Sequence, residues 1–163
     1  MPDKKGQLTA AVLTVSDSAA RGLREDISGP AVKQALEQQG FTVSATEVVP
    51  DEQGAIERAL IRLCAAARLV VTTGGTGIAP RDVTPEATRA VSERLVEGIA
   101  ERMRAEGARS TPLAVLSRGV CGVRGSSLIL NLPGSPKAAV ESLAAVVGVL
   151  PHALELLAGK TEH

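Results

Sequence analysis

Aromatic side chains are almost missing from this chain: Phe41 is the single phenylalanine, and there is no tryptophan or tyrosine. Stacking of nucleic-acid bases on aromatic rings is thereby removed as a binding device. A flat ring in any ligand has to lie on aliphatic side chains or peptide planes, and the core is left to Ala, Val, Leu and Ile. An excess of charge is lacking as well, since 18 Lys and Arg balance 18 Asp and Glu. Without a basic stripe to replace counterions, DNA or RNA is not expected as the main partner. Cysteine is scarce: Cys64 and Cys121 stand far apart and fit neither a CxxC pair nor a zinc spacing. That usage suits a reducing compartment, with Cys64 expected in the core and Cys121 in a glycine-rich loop. The two histidines, His152 and His163, form no metal cluster, and neither completes a Ser-His-Asp or Cys-His arrangement; His163 is expected to be a frayed end. No run of 18 apolar residues occurs, so a membrane span is not expected. The opening MPDKKGQLTAAVLTV enters a strand-like stretch with no signal-peptide cleavage pattern, and the expected location is the cytoplasm.

What is present is an alternation of strand-like and helix-like segments over a length that suits one domain, residues 1–163. Leu8–Val15 and Leu69–Thr73 read as buried strands, and Phe41–Val49 as a strand with period-2 alternation. Helices are predicted from Ser28, as N-cap, to about Gln39, with Gly40 as the stop, and after Asp51, where Ile56, Leu60 and Leu63 share a face. Thr84-Pro85 and Ser135-Pro136 each combine a cap with a proline at the first helical position. Val96–Glu106 reads as an amphipathic helix, Leu113–Leu116 and Ser127–Leu132 as strands, and Lys137 to about Leu157 as helix broken near Gly148 and Pro151. This order predicts a three-layer α/β sandwich around a largely parallel sheet, with ligands beyond the carboxyl ends of the strands.

The strand-to-helix loops are therefore where chemistry is expected. VVTTGGTGIAPRDVTP leaves a strand and enters a helix. Its Gly74, Gly75 and Gly77 let peptide N–H groups turn toward an anion, with the Thr76 hydroxyl among them. It is neither a Walker A loop nor a GxGxxG fingerprint, and a tight structural turn would look the same. Asp82 changes the weighing, because a carboxylate in a phosphate-binding loop repels its ligand unless a cation lies between, which implies Mg²⁺; its alternative is a turn residue that pairs with Arg81 or nearby backbone. Asp51 suits a helix cap, a favoured place for Asp, and becomes a second metal ligand if its loop lies beside the glycine-rich one. After the next predicted strand, LSRGVCGVRG offers the Ser117 hydroxyl and the guanidinium forks of Arg118 and Arg124, or one of these pairs with a surface acid. NLPGSPK supplies Asn131, able to read a purine edge, and a rigid wall of Pro133, Gly134 and Ser135 that could equally be a helix cap. The long polar segment Ser16–Asp26 is a further functional candidate, although Arg21 and Arg24 also suit solvated charges.

Taken together, LTVSDSAARGLREDISGP, VVPDEQGAI, VVTTGGTGIAPRDVTPEAT and LSRGVCGVRGSSLILNLPGSPKA resemble the molybdopterin adenylyltransferase family, which covers the bacterial Mog-type and MoaB-type proteins and the G domain of gephyrin-like proteins. The likeness runs over about residues 8–155, and the PRDVTPEAT form is similar to the Mog-type branch. The resemblance implies a mixed, mostly parallel sheet with helices on both faces, a homotrimer, and a reaction of ATP with molybdopterin that gives adenylylated molybdopterin and pyrophosphate. It places Asp51 and Asp82 at a Mg-nucleotide centre, Thr76 and Ser117 with Gly74, Gly75, Gly77 and Arg118 at molybdopterin and its phosphate, and Asn131, Pro133, Gly134 and Ser135 along the nucleotide. A separate molybdenum insertase is a possible partner. The residue types suit such a reaction: a phosphate monoester is already anionic and needs no strong base, so positioning and electrostatics supply the rate. Two other readings share the pocket, a non-catalytic molybdopterin carrier or MoaB-like paralogue, and a nucleotide-handling hydrolase.

Overall fold

The computed structural model describes residues 7–161; the expectations for the first six residues and for His163 lie outside it. Six strands form one sheet in the order β2-β1-β3-β6-β5-β4. They are β1 (Thr9–Val15), β2 (Thr42–Val49), β3 (Leu69–Thr73), β4 (Arg94–Leu95), β5 (Cys121–Arg124) and β6 (Ser127–Leu132). The pairs β1–β2, β1–β3 and β3–β6 are parallel, and β5 runs against both β6 and β4. The sheet is thus mixed and mostly parallel.

Alternation along the strands divides the core into two layers, as the two-residue period of a strand requires. On one face Ala10, Val12, Leu69, Val71, Leu128 and Leu130 meet Val32, Leu36, Ile99, Met103, Leu143 and Leu150. These come from α2 (Ser28–Gln38), α5 (Glu97–Ser110), α6 (Pro136–Val146) and α7 (Leu150–Leu157). On the other face Ala11, Leu13, Val70 and Ile129 meet Ile56, Leu60, Leu63, Ala87 and Val91, from α3 (Gln53–Ala66) and α4 (Thr84–Val91). Burying a Leu, Ile or Val side chain contributes about 1.5–3 kcal/mol, so the two aliphatic layers hold the domain with Phe41 as the single aromatic contribution. Residues 136–157 are together long and apolar enough to cross a membrane, with mean hydropathy 1.6. They are instead two α-helices about a 3-10 turn, with Ala139, Leu143, Val146, Leu150 and Leu154 turned into the core.

Several local expectations are corrected. Leu113–Leu116 is no strand but part of a 3-10 turn, Pro112–Leu116, started by Pro112 and capped by the Thr111 hydroxyl. Cys121 lies in β5 and is buried, where a glycine-rich loop was expected. Three expected caps do not form: Ser28, Asp51 and Thr84 make no capping bond for α2, α3 and α4. Asp26 receives the Gly29 N–H at 3.0 Å in place of Ser28, and the Thr84 hydroxyl donates to the Gly74 carbonyl at 3.0 Å. Ser135 caps α6 as expected, accepting from the Ala138 N–H. A short helix, α1 (Asp17–Ala20), stands inside the long polar segment after β1.

Candidate active site

The chain leaves central β1 toward β2 on one side, and β3 lies on the other. The connections diverge there, and a crevice opens at the carboxyl ends of β1 and β3. It holds about 450 Å³ and is lined by Val15, Ser16, Asp51, Gly74, Gly75, Asp82, Gly134 and Ser135 among others. A second cavity of about 420 Å³ is lined by Thr76, Gly77, Arg104, Leu113, Leu116, Ser117 and Pro133. Gly75, Asp82 and Gly134 line both, so the two chambers meet at that wall.

The wall depends on glycine. Gly74 and Gly75 have φ of 101° and 69°, a left-handed region that costs other residues about 1 kcal/mol or more. A Cβ on Gly74 would strike the Val15 carbonyl, and one on Gly75 would strike the Thr84 hydroxyl and lie 3.2 Å from Asp51 Oδ1. Arg118 braces the loop from the far side. Its backbone N–H donates to the Thr76 carbonyl at 2.8 Å; its Nε and Nη2 donate to the Gly77 and Asp82 carbonyls at 2.8 and 2.9 Å. Its Nη1 pairs with Glu86, whose carboxyl it holds below the ordinary value.

Asp51 and Asp82 face the same crevice. Burial pushes the Asp51 carboxyl above its ordinary value, and the charges of Asp17 and Asp82 act in the same direction, against a hydrogen bond from Asp17. Asp82 Oδ2 accepts from the Ala79 N–H at 3.0 Å, and Arg81 pairs with Asp17, not with Asp82. Among the described residues no three His, Cys, Asp or Glu converge into a metal cage. Two carboxylates that repel one another across an open crevice do fit Mg²⁺, which takes one or two protein carboxylates and fills its shell with phosphate oxygens and water.

The predicted residues thus sort unevenly. Asp51, Asp82, Gly74, Gly75, Gly134 and Ser135 line the first chamber, and Thr76, Gly77, Ser117 and Pro133 the second. Pro133 is thus parted from Ser135, while Gly134 between them borders both chambers. Two residues are corrected outright. Arg118 was expected to offer its fork to a phosphate, but its Nε and Nη2 are committed to the loop carbonyls of Gly77 and Asp82 and its Nη1 to Glu86 of α4. Asn131 was expected to read a purine edge; it is buried, donates to the Thr72 and Thr88 hydroxyls at 3.1 and 2.9 Å, and accepts from the Val120 N–H at 3.2 Å. Arg124 likewise donates to the Val91 carbonyl. Two functional candidates were missed. Arg104 of α5 lines the second chamber, with Nη1 alone engaged, on the Gly119 and Ser117 carbonyls; no loop motif marks it. Asp17 bonds to Asp51, and its signal was available: Asp17 and Asp51 each follow a strand by two residues.

Fold and site define an α/β domain with two adjoining chambers that share one wall at the carboxyl ends of the strands. The family described as "Probable molybdopterin binding domain" matches residues 11–152. A molybdopterin adenylyltransferase of Helicobacter pylori is 43% identical over 91% of this chain and 86% of that protein. The solved molybdopterin biosynthesis enzyme MoaB of Thermus thermophilus is 55% identical, covers 94% of this chain and 98% of its own, and superposes with a TM-score of 0.88. The Mog protein of Mycobacterium ulcerans is 41% identical over 94% of this chain and 98% of its own, with a TM-score of 0.86. The chain belongs to this molybdopterin adenylyltransferase family, and relatives of both the Mog and MoaB types match it closely.

Proposed function

We propose that this chain transfers the adenylyl group of MgATP to the terminal phosphate of molybdopterin, releasing pyrophosphate, as a step in molybdenum cofactor biosynthesis. The observation that carries the reading is the shared wall: Gly75, Asp82 and Gly134 border both chambers, so ligands in the two would meet there. ATP occupies the crevice of Asp51, Gly74 and Ser135. Molybdopterin occupies the chamber of Thr76, Ser117 and Arg104, where Leu113 and Leu116 offer apolar surface to a ring that no aromatic side chain can stack.

An oxygen of the molybdopterin phosphate forms a bond to the α-phosphorus as the bond from that phosphorus to the pyrophosphate oxygen breaks. The attacking group is already anionic, and no histidine is among the lining residues of either chamber. Asp51 and Asp82 would hold the magnesium, which when bound neutralises charge on the polyphosphate. Glycine N–H groups and Arg104 orient the anions, and the rigid wall keeps the reacting atoms in line. The same reading makes the assembly a homotrimer, consistent with the exposed side chains of Ile78, Leu113 and Val115, and has a separate metal-inserting protein receive the product. Pyrophosphate release from molybdopterin and MgATP tests the reaction, and light scattering the assembly. Binding of molybdopterin with no pyrophosphate formed would make the chain a carrier.

A further inference from the structure

Asp17 and Arg81 hold neither ligand in the reading above, yet they tie together the two loops that carry the candidate magnesium ligands. Asp17 and Asp51 exchange bonds: the Asp17 N–H donates to Asp51 Oδ2 at 2.9 Å, and the Asp51 N–H donates to Asp17 Oδ1 at 3.0 Å. Arg81 closes on the same carboxylate, with Nε on Oδ2 at 2.7 Å and Nη2 on Oδ1 at 2.9 Å. Arg81 precedes Asp82 in the chain, so one carboxylate joins the loop after β2 to the loop after β3.

Both Asp17 oxygens are committed and its charge is matched by Arg81, which holds its carboxyl below the ordinary value. Asp17 is therefore unsuited to binding a cation itself. Asp51 Oδ2 is held by the Asp17 N–H, and Oδ1 lies beside Gly75 at the chamber wall. Asp82 Oδ2 is held by the Ala79 N–H. Among the described residues each carboxylate thus has one oxygen held by a backbone N–H and one with no hydrogen-bond donor. Removing a group that fixes a ligating carboxylate in this way typically costs about 10–100-fold in metal affinity.

We propose that the Asp17–Arg81 pair is a positioning device that sets the spacing of Asp51 and Asp82 and keeps the site a two-carboxylate one, thereby determining its affinity for the divalent cation of the nucleotide. This rests on the reading of Asp51 and Asp82 as magnesium ligands. The test is a spectroscopic titration of the full chain with Mn²⁺ and a non-hydrolysable ATP analogue, beside the magnesium dependence of pyrophosphate release. Asp17→Ala and Arg81→Ala should each weaken Mn²⁺ binding by about tenfold or more, with kcat recovered at saturating magnesium. Asp17→Asn should fall between, because its amide oxygen still accepts from the Asp51 N–H but no longer pairs with a charge. The Arg81 side chain is 57% exposed, so its variant folds even where an Asp17 variant does not; thermal melts check both. If the wild-type chain binds no Mn²⁺-nucleotide, the magnesium reading falls and the positioning role with it. Should the wild type bind and the variants bind equally well, the positioning role alone is overturned. A loss of kcat that saturating magnesium fails to restore also overturns it, and assigns the pair a part in the chemical step.

Discussion

Two glycine-rich segments look alike in the sequence and do opposite work in the molecule. GGTG follows β3 in the parallel half of the sheet. There each strand points its carboxyl end at the same rim, so the loops bearing Asp17, Asp51 and Asp82 gather at one crevice. RGVCGVRG belongs to the edge where β5 runs the other way. Its arginines face back into the protein, onto the carbonyls of Gly77, Asp82 and Val91, and Cys121 and Val123 enter the core. The parallel half exposes chemistry, and the reversed strand braces it. Strand direction, more than glycine content, decides which of two such loops reaches the crevice.

The largest expected effect falls on the parallel side. Asp82→Ala should reduce pyrophosphate release by about a thousandfold or more, with the thermal unfolding midpoint unchanged, because Asp82 is half-buried and holds a single backbone bond; near-normal turnover in the folded variant would remove it from the site. On the bracing side the loss should appear in stability instead. Asn131→Ala strands the Val120 N–H, the Thr72 hydroxyl and the Thr88 hydroxyl, for a cost of about 1–3 kcal/mol. Denaturant unfolding measures that cost, and nucleotide affinity should be unaffected; a selective loss of ATP binding would restore Asn131 as a reader of the base.

Arg104 and Arg118 sharpen the comparison further. Arg104→Ala should raise the KM for molybdopterin about tenfold, the scale of one charge-assisted hydrogen bond, and leave the KM for ATP as it was. Steady-state kinetics in both substrates decide this, and an unchanged molybdopterin KM rules Arg104 out of phosphate binding.

The smallest effect concerns the thiols. Burial pushes Cys64 up to about 11 and Cys121 up to about 12, from an ordinary 9.0. Well below pH 9 both are neutral whether the chain is folded or not. Above it the unfolded chain ionises first, so stability falls as pH rises from 9 toward 11 and 12. Thermal melts over that range, with cysteine-to-serine variants as controls, should show the decline, and alkylation at pH 8 should be slow at Cys121. Rapid labelling there would put Cys121 back in an open loop.

Legibility follows the same division. Leu69–Thr73 and Ser127–Leu132 were readable to the residue, since a strand buried on both faces carries consecutive apolar residues, here Leu69–Val71 and Leu128–Leu130. The crevice was readable because Asp51 and Asp82 follow parallel strands, whose order in sequence carries over to the rim. The two-residue strand Arg94–Leu95 and the short Cys121–Arg124 were not, because neither is long enough to show a period. Leu113–Leu116 misled for the opposite reason: an apolar stretch means burial only where something covers it, and Leu113 and Val115 are 68% and 66% exposed. The three caps fail for two reasons. Tertiary partners compete for Asp51 and Thr84, and an acid two residues earlier takes over from Ser28. The bond between Asp17 and Asp51 spans 34 positions, beyond the reach of any local pattern.

Phe41, sealed in the aliphatic layer at the start of β2, leaves the molecule with no indole or phenol to absorb or emit near-ultraviolet light. A fluorescent pterin entering either chamber would shine against a dark protein. Its binding, release and conversion could then be followed directly by its own emission, with no label attached and no background to subtract.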